Sequence, residues 1–361
     1  MPCEDSRIYV ASAGSGKTTA LVNEAMSRLP RRVTFLTYTN SNAQVIRETF
    51  TAMRGGVPPS VDVRTWFRFL LHECARPYQR SVHARQRIRA ILFTSKRSAP
   101  FTRYKDTENY YFRGGDQIYS DKIARFVLDC EDATGGRVSQ RLESIYDLIL
   151  IDEFQDLAAY DLDVLEMLLR SSVTVIMAGD PRQTTYLTSP AARYEQFRGL
   201  GILEKFREWE AAGLCQVIED ACSWRCNQAI CDFADRLWGT LGPTESLQEV
   251  RTAHDGIFLV ADRDLDSYVE EFEPLVLRYS KRTDSRGHPA MTFGNAKGMT
   301  VDRVMILPHG PIREYLRTGD PREVEKSARK FYVAVTRARH SVAIVYDGKC
   351  GMDLRRWEPA E

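Results

Sequence analysis

The sequence has 361 residues, enough for two or three domains of about 150 residues each. Its composition, 43% apolar and 27% charged, excludes a disordered or collagen-like chain and is typical of a globular protein. The 50 Lys and Arg residues nearly balance the 49 Asp and Glu residues, so the chain is not globally basic. Any binding to nucleic acid must therefore come from locally clustered charge.

Nothing in the sequence indicates export or a membrane. The N-terminus has neither the basic nor the apolar region of a signal peptide, and the longest apolar runs, 148–151 and 173–178, are far shorter than a bilayer span of about 18 residues. We therefore expect a cytoplasmic protein with reduced thiols. A metal site is the alternative for four of the cysteines, but their spacing lacks paired C-x2-C units, which favours buried thiols: Cys215, Cys222, Cys226 and Cys231.

Apolar, β-branched runs alternate with longer amphipathic stretches and predict an α/β fold with two lobes. The runs are almost continuously apolar, which is typical of parallel strands covered by helices on both faces. The spacing of apolar residues predicts the first helix over 18–29. The predicted strands are 7–13, 33–39, 61–66, 148–153 and 173–180 in the first lobe, and 256–261, 304–307 and 341–346 in the second.

A basic segment separates two of the predicted strands. Residues 74–105 contain nine Lys or Arg residues and no Asp or Glu. A solvated helix face is the alternative interpretation, but such a face usually mixes both signs, so the segment favours a phosphate-binding surface. We expect Arg85, Arg87 and Arg89 to contact nucleic acid there.

The first predicted strand leads into a glycine-rich loop and then a helix, which is the context of a nucleotide-binding P-loop. The glycines let backbone N–H groups surround phosphate oxygens, and the helix N-terminus adds positive potential. Lys17 would reach the β- and γ-phosphates of ATP, and Thr18 would hold Mg²⁺. The residues expected to bind the nucleotide are Ala13, Gly14, Ser15, Gly16, Lys17, Thr18 and Thr19.

Two adjacent carboxylates, Asp152 and Glu153, end another apolar strand. Ligands of a parallel sheet gather at the carboxyl ends of its strands. We expect Asp152 to hold Mg²⁺ and Glu153 to orient and deprotonate the water that attacks the γ-phosphate. Acidic helix caps give a similar pattern, but together with the P-loop the pair predicts an NTPase.

Further motifs follow in order along nearly the whole chain. They are Tyr38-Thr39-Asn40, Thr65-Trp66-Phe67, Asp152-Glu153-Phe154-Gln155-Asp156, 179–186, Ser223-Trp224-Arg225, 297–302 and 332–339. This series resembles the superfamily 1A helicases of the UvrD, Rep and PcrA type. The resemblance implies two RecA-like P-loop lobes with parallel sheets and a small, mainly helical insertion in the first. The implied domains are a first lobe at 1–75 and 141–212, a basic insertion at 76–140 and a second lobe at 213–361.

The resemblance also implies roles for single residues in ATP hydrolysis. Gln183 would sense the γ-phosphate, and Arg225 and Arg337 would act as arginine fingers from the second lobe. Taken singly, each of these arginines could equally form a surface salt bridge. Trp224 and Gly298 would contact the nucleotide.

A track for single-stranded DNA is implied as well. Such a track combines aromatic stacking faces with short polar contacts to phosphates, although single aromatic residues more often belong to a core. The stacking candidates are Tyr38, Trp66 and Tyr186, and the polar candidates are Thr39, Asn40, Thr65 and Thr292.

The sequence departs from the family in several places. Thr300 stands where the family has a ribose-binding Glu, and Gly294 replaces a His. Thr188 and Ser189 replace the Trp-Arg pair that commonly follows the motif tyrosine. The roughly 55 residues between Asp235 and Met291 leave no room for the large 2B subdomain, so we expect a minimal motor.

The sequence leaves three functions open. We expect a single-stranded DNA translocase or helicase driven by ATP, with a 3′→5′ direction that the resemblance alone implies. The first alternative is an ATPase that senses nucleic acid as a subunit of a repair or phage-defence assembly with a nuclease partner. The second is a viral-type superfamily 1 RNA helicase, which residues 179–183 favour and residues 152–156 oppose.

Overall fold

The structure is a computed structural model that describes residues 5–29, 31–185, 187–238 and 242–359. The chain forms two compact units, of which the first comprises Met1–Val10 and Lys17–Glu219 and the second Ala11–Gly16 and Asp220–Glu361. Each contains a six-stranded sheet, which confirms the predicted α/β class with two lobes. Residues 216–220 form a strand of the first sheet, and the division between the two units falls at the end of this strand, between Glu219 and Asp220.

The first unit contains nine strands and nine α-helices among the described residues. Its strands are β1 (Arg7–Ala11), β2 (Val33–Thr37), β3 (Val61–Thr65), β4 (Ala90–Leu92), β5 (Phe112–Arg113), β6 (Gln117–Tyr119), β7 (Leu148–Asp152), β8 (Thr174–Gly179) and β9 (Gln216–Asp220). Its helices are α1 (Lys17–Ser27), α2 (Asn40–Arg54), α3 (Trp66–Phe69), α4 (Arg76–Tyr78), α5 (Thr107–Tyr111), α6 (Ile123–Thr134), α7 (Arg137–Ile145), α8 (Tyr160–Leu169) and α9 (Ile202–Ala211). A π-helical turn at Leu70–Ala75 joins α3 to α4.

The first sheet has the strand order β3-β2-β7-β8-β1-β9, and β3, β2, β7, β8 and β1 pair in parallel. The central strands β2, β7 and β8 bury side chains on both faces. In β7, Leu148 and Leu150 pack with α1 and α2, whereas Ile149 and Ile151 face the core formed with α6 and α8. This two-sided burial explains why β7 and β8 are almost continuously apolar.

The sequence located five of the six strands of this sheet but extended each of them by one or two residues, and it did not predict β9. The predicted strand 148–153 ends at Asp152, and the predicted strand 173–180 ends at Gly179. Glu153 leaves the strand because its backbone is left-handed, with φ +63°. These two strands therefore end where a turn begins that contains a candidate functional residue, Glu153 after β7 and Gln183 after β8.

The segment predicted as an insertion, 76–140, contains helices and a small sheet. Strands β4, β6 and β5 form this three-stranded sheet, in the order given. Helices α6 and α7 pack into the core of the first unit through Phe126, Val138 and Leu142. The sequence did not indicate the small strands, since each has only two or three residues.

The second unit repeats the same architecture with fewer helices. Its strands are β10 (Cys222–Ser223), β11 (Glu245–Ser246), β12 (Gly256–Val260), β13 (Leu275–Arg278), β14 (Met291–Thr292), β15 (Val301–Leu307), β16 (Ala338–Val345) and β17 (Arg355–Arg356). Its helices are α10 (Gln228–Asp235), α11 (Leu265–Phe272), α12 (Gly310–Thr318) and α13 (Ala328–Val335). The sheet order is β14-β13-β15-β16-β12-β17, all parallel.

The four cysteines for which a metal site was the alternative are free thiols in the structure. Cys226 and Cys231 are buried, and Cys215 and Cys222 are half-buried. Among the residues that the structure describes, no cluster of His, Cys, Asp and Glu has the arrangement of a metal site. No described helix combines the length and apolarity needed to cross a bilayer.

A buried carboxyl, Asp161 on α8, connects two parts of the first unit. The indole Nε1 of Trp66 donates to its Oδ1 at 2.7 Å, and the hydroxyl of Thr188 donates to its Oδ2. Burial raises the pKa of Asp161 to about 6. The folded chain therefore holds this proton more tightly than the unfolded chain does, whose aspartate has a pKa near 3.9.

Asp161 should make the stability of the protein depend on pH. Its contribution is fully present below pH about 4 and is lost as the pH rises through about 6. Relative to Asp161→Asn, which cannot titrate, the wild type should lose about 1.4 kcal/mol of unfolding free energy between pH about 5 and about 7. Urea unfolding of both proteins at several pH values measures this difference, and parallel pH profiles would contradict it.

Candidate functional site

The candidate residues of the first unit follow the carboxyl ends of parallel strands. Thr37 pairs with Thr65 at the ends of β2 and β3, and Asp152 pairs with Ala178 near the ends of β7 and β8. The register therefore places these strand ends at one edge of the sheet. This is the edge at which open α/β sheets bind ligands.

The phosphate loop has the conformation that the sequence predicts. Gly14 and Gly16 have φ values of +79° and +82°, which glycine adopts readily and other residues do not. Helix α1 begins directly after them, at Lys17, and Thr19 is exposed in its first turn. Within the described residues the buried hydroxyl of Ser15 has no hydrogen-bond partner. A loop of this kind, with an unsatisfied hydroxyl and a cation at a helix N-terminus, suits a phosphate.

Thr18 and Asp152 form the pair expected to hold Mg²⁺. The Thr18 hydroxyl donates to Asp152 Oδ2 at 2.7 Å, and the backbone N–H of Glu153 donates to Oδ1 at 3.0 Å. Burial, and then the charge of Glu153, raise the pKa of Asp152. A hydroxyl and a carboxylate are oxygen ligands, which Mg²⁺ prefers, and a bound cation would stabilise the ionised carboxylate. The residues therefore fit the predicted metal.

Gln155 connects the two motifs that follow β7 and β8. Its Nε2 donates to Glu153 Oε2, and its Oε1 accepts the Asp180 N–H at 3.1 Å. Gln183 Nε2 in turn donates to Asp180 Oδ2 at 3.0 Å. Burial opposes ionisation of Asp180, but the positive charges of Arg182 and Lys17 outweigh it and lower the pKa of this carboxyl. The predicted residues Glu153 and Gln183 are thus brought into one hydrogen-bonded series.

Gly179 makes this series possible because no side chain fits at its position. A Cβ there would lie 2.3 Å from Gln155 Oε1 and 2.9 Å from the Phe154 ring. Its φ is not positive, so the requirement is for space and not for backbone freedom. The sequence predicted neither this approach nor the role of Gln155. A glycine at the end of a buried strand was the available signal.

The two predicted arginine fingers meet in the second unit. Arg225 Nη1 donates to the Thr336 carbonyl at 3.1 Å, and Arg337 Nη2 donates to the Thr336 hydroxyl at 3.2 Å. Arg337 is only 2% exposed, and its Nε donates to the Val333 carbonyl at 2.8 Å.

Residues 11–16, which belong to the second unit, contact the motif around Trp224. The Ser223 hydroxyl donates to the Ala13 carbonyl at 2.7 Å, and the Trp224 N–H donates to the Gly14 carbonyl at 2.9 Å. The Trp224 side chain is 62% exposed and lies 3.9 Å from the point where a Cβ on Gly16 would be. The structure thus places Trp224 beside the phosphate loop. Gly298, with φ +87°, lies in the turn before β15.

The predicted track residues have mixed environments. Tyr38 is half-buried, and Asn40 is exposed at the start of α2. The Thr39 hydroxyl caps this helix by accepting the Asn42 N–H at 3.1 Å. Thr65 is buried, with 9% of its surface exposed. Tyr186 lies outside the described residues.

Trp66 was wrongly predicted as a stacking face for a base. It is 1% exposed and stacks on Phe69 inside the core of the first unit. The reason is its hydrogen bond to the buried Asp161, which fixes the indole inside the core.

The basic segment is partly neutralised by acidic residues that follow it in the chain. Arg85 forms an ion pair with Glu108, and Arg89 lies 3.8 Å from Asp116. Arg87 is exposed and forms no ion pair within the described part of the chain. The predicted phosphate surface is therefore less positive than residues 74–105 alone suggest.

Arg278 and Lys281 are functional candidates that the sequence analysis missed. Arg278 pairs in register with Thr292, a predicted phosphate contact, and both line a cavity of about 370 Å³ together with Lys281 and Asn295. Within the described residues Arg278 Nε is buried without a hydrogen-bond partner. The available signal was a short apolar run that ends in Arg278 and is followed three residues later by Lys281.

Comparison with known proteins identifies the family. A family profile described as "AAA domain" matches residues 4–189, and one described as "Viral superfamily 1 RNA helicase core domain" matches residues 137–346. Each covers more than half of the chain. The chain therefore belongs to the superfamily 1 helicases and is an enzyme of the helicase ATPase class.

The chain is also similar to individual proteins. Over 156 residues it is 30% identical to the RecB subunit of the RecBCD enzyme of Mycolicibacterium smegmatis, a region that covers 41% of this chain and 13% of RecB. The crystal structure of arterivirus nonstructural protein 10, a helicase, has 15% identity and a TM-score of 0.47, with 95% of this chain and 60% of the viral chain covered. The PRRSV helicase has 16% identity, a TM-score of 0.45 and coverages of 94% and 52%. The chain thus spans a small part of RecB and little more than half of the viral helicases.

Two substitutions in the first unit should separate nucleotide binding from hydrolysis. Lys17→Ala should abolish productive ATP binding, because it removes the cation at the phosphate loop. Glu153→Gln should retain binding and slow turnover by about 100-fold or more, since the amide cannot accept a proton from water. Titration with a fluorescent ATP analogue and steady-state ATPase assays measure the two effects. Near wild-type turnover in Glu153→Gln would contradict the assigned role.

Gly179→Ala should lower turnover although it changes no polar group. The new methyl group must displace Gln155, which then releases Glu153, and misplacing a catalytic group by about 1 Å can cost up to about 100-fold. Gly56→Ala is the matched control, because a Cβ at Gly56 would meet nothing within 4 Å. ATPase assays of both variants decide the point. Equal rates in the two variants would contradict the role of Gln155.

Proposed function

We propose that the protein is an ATP- and Mg²⁺-dependent motor that moves along single-stranded DNA in the 3′→5′ direction. The observation that carries the proposal is the hydrogen-bonded arrangement at one edge of the first sheet. Thr18 contacts Asp152 there, and Gln155 connects Glu153 to Asp180. This arrangement suits NTP hydrolysis, and the direction follows from the resemblance of the motifs to those of UvrD.

Each residue of the site has a proposed role in hydrolysis. Lys17 and the loop 13–16 bind the phosphates, Thr18 and Asp152 hold the metal, and Glu153 orients and deprotonates the attacking water. Bound Mg²⁺ would neutralise negative charge on the phosphate oxygens. Gln183 senses the γ-phosphate, Trp224 and Gly298 contact the nucleotide, and Arg225 and Arg337 stabilise the charge that develops as the bond breaks.

The proposed DNA track uses contacts of two kinds. Tyr38 offers a ring, and Thr39, Asn40 and Thr292 offer polar groups for phosphates, to which Arg278 adds a cation. The resemblance of the motifs to the UvrD-type DNA helicases supports DNA as the substrate. The match to a viral RNA helicase core makes RNA the necessary comparison.

A second candidate is a sensing subunit of a larger assembly. The relative RecB is itself described as a subunit of the RecBCD enzyme. In this role the ATP cycle would report bound nucleic acid to a partner such as a nuclease, and net movement would not be needed.

The motor should be stimulated by single-stranded DNA and should displace streptavidin from the 5′ end of a biotinylated strand. We expect weak unwinding of a 3′-tailed duplex, since each base-pair step costs about 1.4 kcal/mol to open. Steady-state ATPase with no nucleic acid, single strand, duplex and RNA accompanies both assays. Glu153→Gln is the control that binds without turnover.

The outcomes distinguish the candidates. Processive duplex unwinding by the chain alone would contradict the minimal motor. DNA-stimulated ATPase without displacement or unwinding would favour the sensor. Stimulation by RNA but not by DNA would overturn DNA as the substrate.

A further inference from the structure

An exposed phenylalanine extends the aromatic contacts of Tyr38 to the surface of the first unit. Phe93 follows β4 directly, and 67% of its surface is exposed. Its ring packs edge-on against the buried Phe67, with ring centroids 5.3 Å apart and planes at 86°. Phe67 in turn lies 6.0 Å from the ring of Tyr38. We call Tyr38, Phe67 and Phe93 the aromatic row.

The loop after Phe93 is held in place by one buried carboxylate. Asp121 Oδ2 accepts the Ser98 N–H at 3.0 Å, and Oδ1 accepts the Ser98 hydroxyl at 2.5 Å and the Thr94 hydroxyl at 3.4 Å. The Thr94 N–H donates to the Ser120 hydroxyl at 3.1 Å. Both ends of the loop 94–98 are therefore fixed, and Phe93 lies at its base.

The same loop carries two cations at its exposed tip. Lys96 and Arg97 are exposed, and neither forms an ion pair with any described residue. Arg85 and Arg89, by contrast, pair with carboxylates. The positive charge of loop 94–98 therefore stays available to an anionic ligand. Lys96 and Arg97 belong to the basic segment 74–105, for which the sequence analysis named Arg85, Arg87 and Arg89 as the contacts.

A fixed ring beside two cations matches the chemistry of a single strand. Bases present flat apolar faces, and each nucleotide carries one phosphate, so a strand meets both features at once. A protein partner would cover the ring with apolar side chains and would bring carboxylates to the cations. The continuity of Phe93 with Tyr38 favours the strand.

We infer that Phe93 stacks on a base of the bound single strand and that Lys96 and Arg97 contact its phosphates. The inference rests on the proposed function, because it assumes that Tyr38 contacts the same strand. It adds a second contact region, on the segment predicted as an insertion.

Binding of a fluorescein-labelled oligo-dT strand, followed by anisotropy without nucleotide, tests the stacking contact. Phe93→Ala should weaken binding about tenfold, the equivalent of about 1.4 kcal/mol, with an unchanged salt slope. Phe93→Trp should bind as well as the wild type. Phe93→Leu keeps an apolar contact to Phe67 but has no aromatic face. It should therefore show most of the affinity loss that Phe93→Ala shows. Phe101→Ala is the matched control, since Phe101 is 98% exposed but outside the aromatic row.

The cations are tested by their salt dependence and the base contact by an abasic strand. Lys96→Gln with Arg97→Gln should reduce the slope of log K against log salt by about 1.4, about 0.7 for each phosphate. On an abasic strand of equal length, wild type and Phe93→Ala should bind equally, because no base is left to stack.

The results separate this inference from the proposed function. Wild type that binds no single strand would overturn both. If the wild type binds the single strand and Phe93→Ala or Phe93→Leu binds it with the same affinity, the stacking contact alone would be overturned. An equal loss in Phe101→Ala would show that any exposed ring contributes. Thermal unfolding of each variant establishes that it folds.

Discussion

The side-chain amide of Gln155 is the group on which the candidate site of the first unit depends. An amide carries a donor and an acceptor on one carbon, so Gln155 can hold Glu153 and accept from Asp180 at the same time. A glutamate at this position would lack the donor and would place negative charge against Glu153. The arrangement also needs Gly179, because a Cβ there would overlap Gln155 Oε1. Because Gly179 has no side chain, Gln155 can occupy the position from which it holds Glu153, the carboxylate that is proposed to activate water.

The sequence predicted the parts of the site that are contiguous in the chain. The phosphate loop and the Asp152-Glu153 pair follow strands that are apolar on both faces, and such strands are visible as runs. Gln155 and Asp180 are 25 residues apart, and no local pattern indicates that they bond. The prediction that Trp66 stacks on a base was wrong for the same reason, since its hydrogen-bond partner Asp161 is 95 residues away. Aromatic type alone does not distinguish a core residue from a stacking face.

The charge of a sequence segment likewise differs from the charge around it in the folded protein, because residues distant in the chain become neighbours. The basic segment has no acidic residue of its own, yet folding brings Glu108 and Asp116 to Arg85 and Arg89. An exposed ion pair adds little stability, but it lowers the potential that a phosphate would meet. Positions whose cations remain unpaired are therefore better binding candidates than positions with the highest density of arginine in the sequence.

The arginines of the second unit show how local structure can prepare donors for a ligand. Helix α13 ends at Val335, and its C-terminal end carries partial negative charge that favours nearby cations. Arg337 donates to the Val333 carbonyl near this end, and both Arg225 and Arg337 donate to Thr336. The Thr336 and Val333 oxygens are neutral, so each of these hydrogen bonds is weaker than one to a phosphate oxygen. If the two arginines act on a nucleotide as proposed, their guanidinium groups are already ordered by these bonds, and donors held in this way need little reorganisation when charge develops.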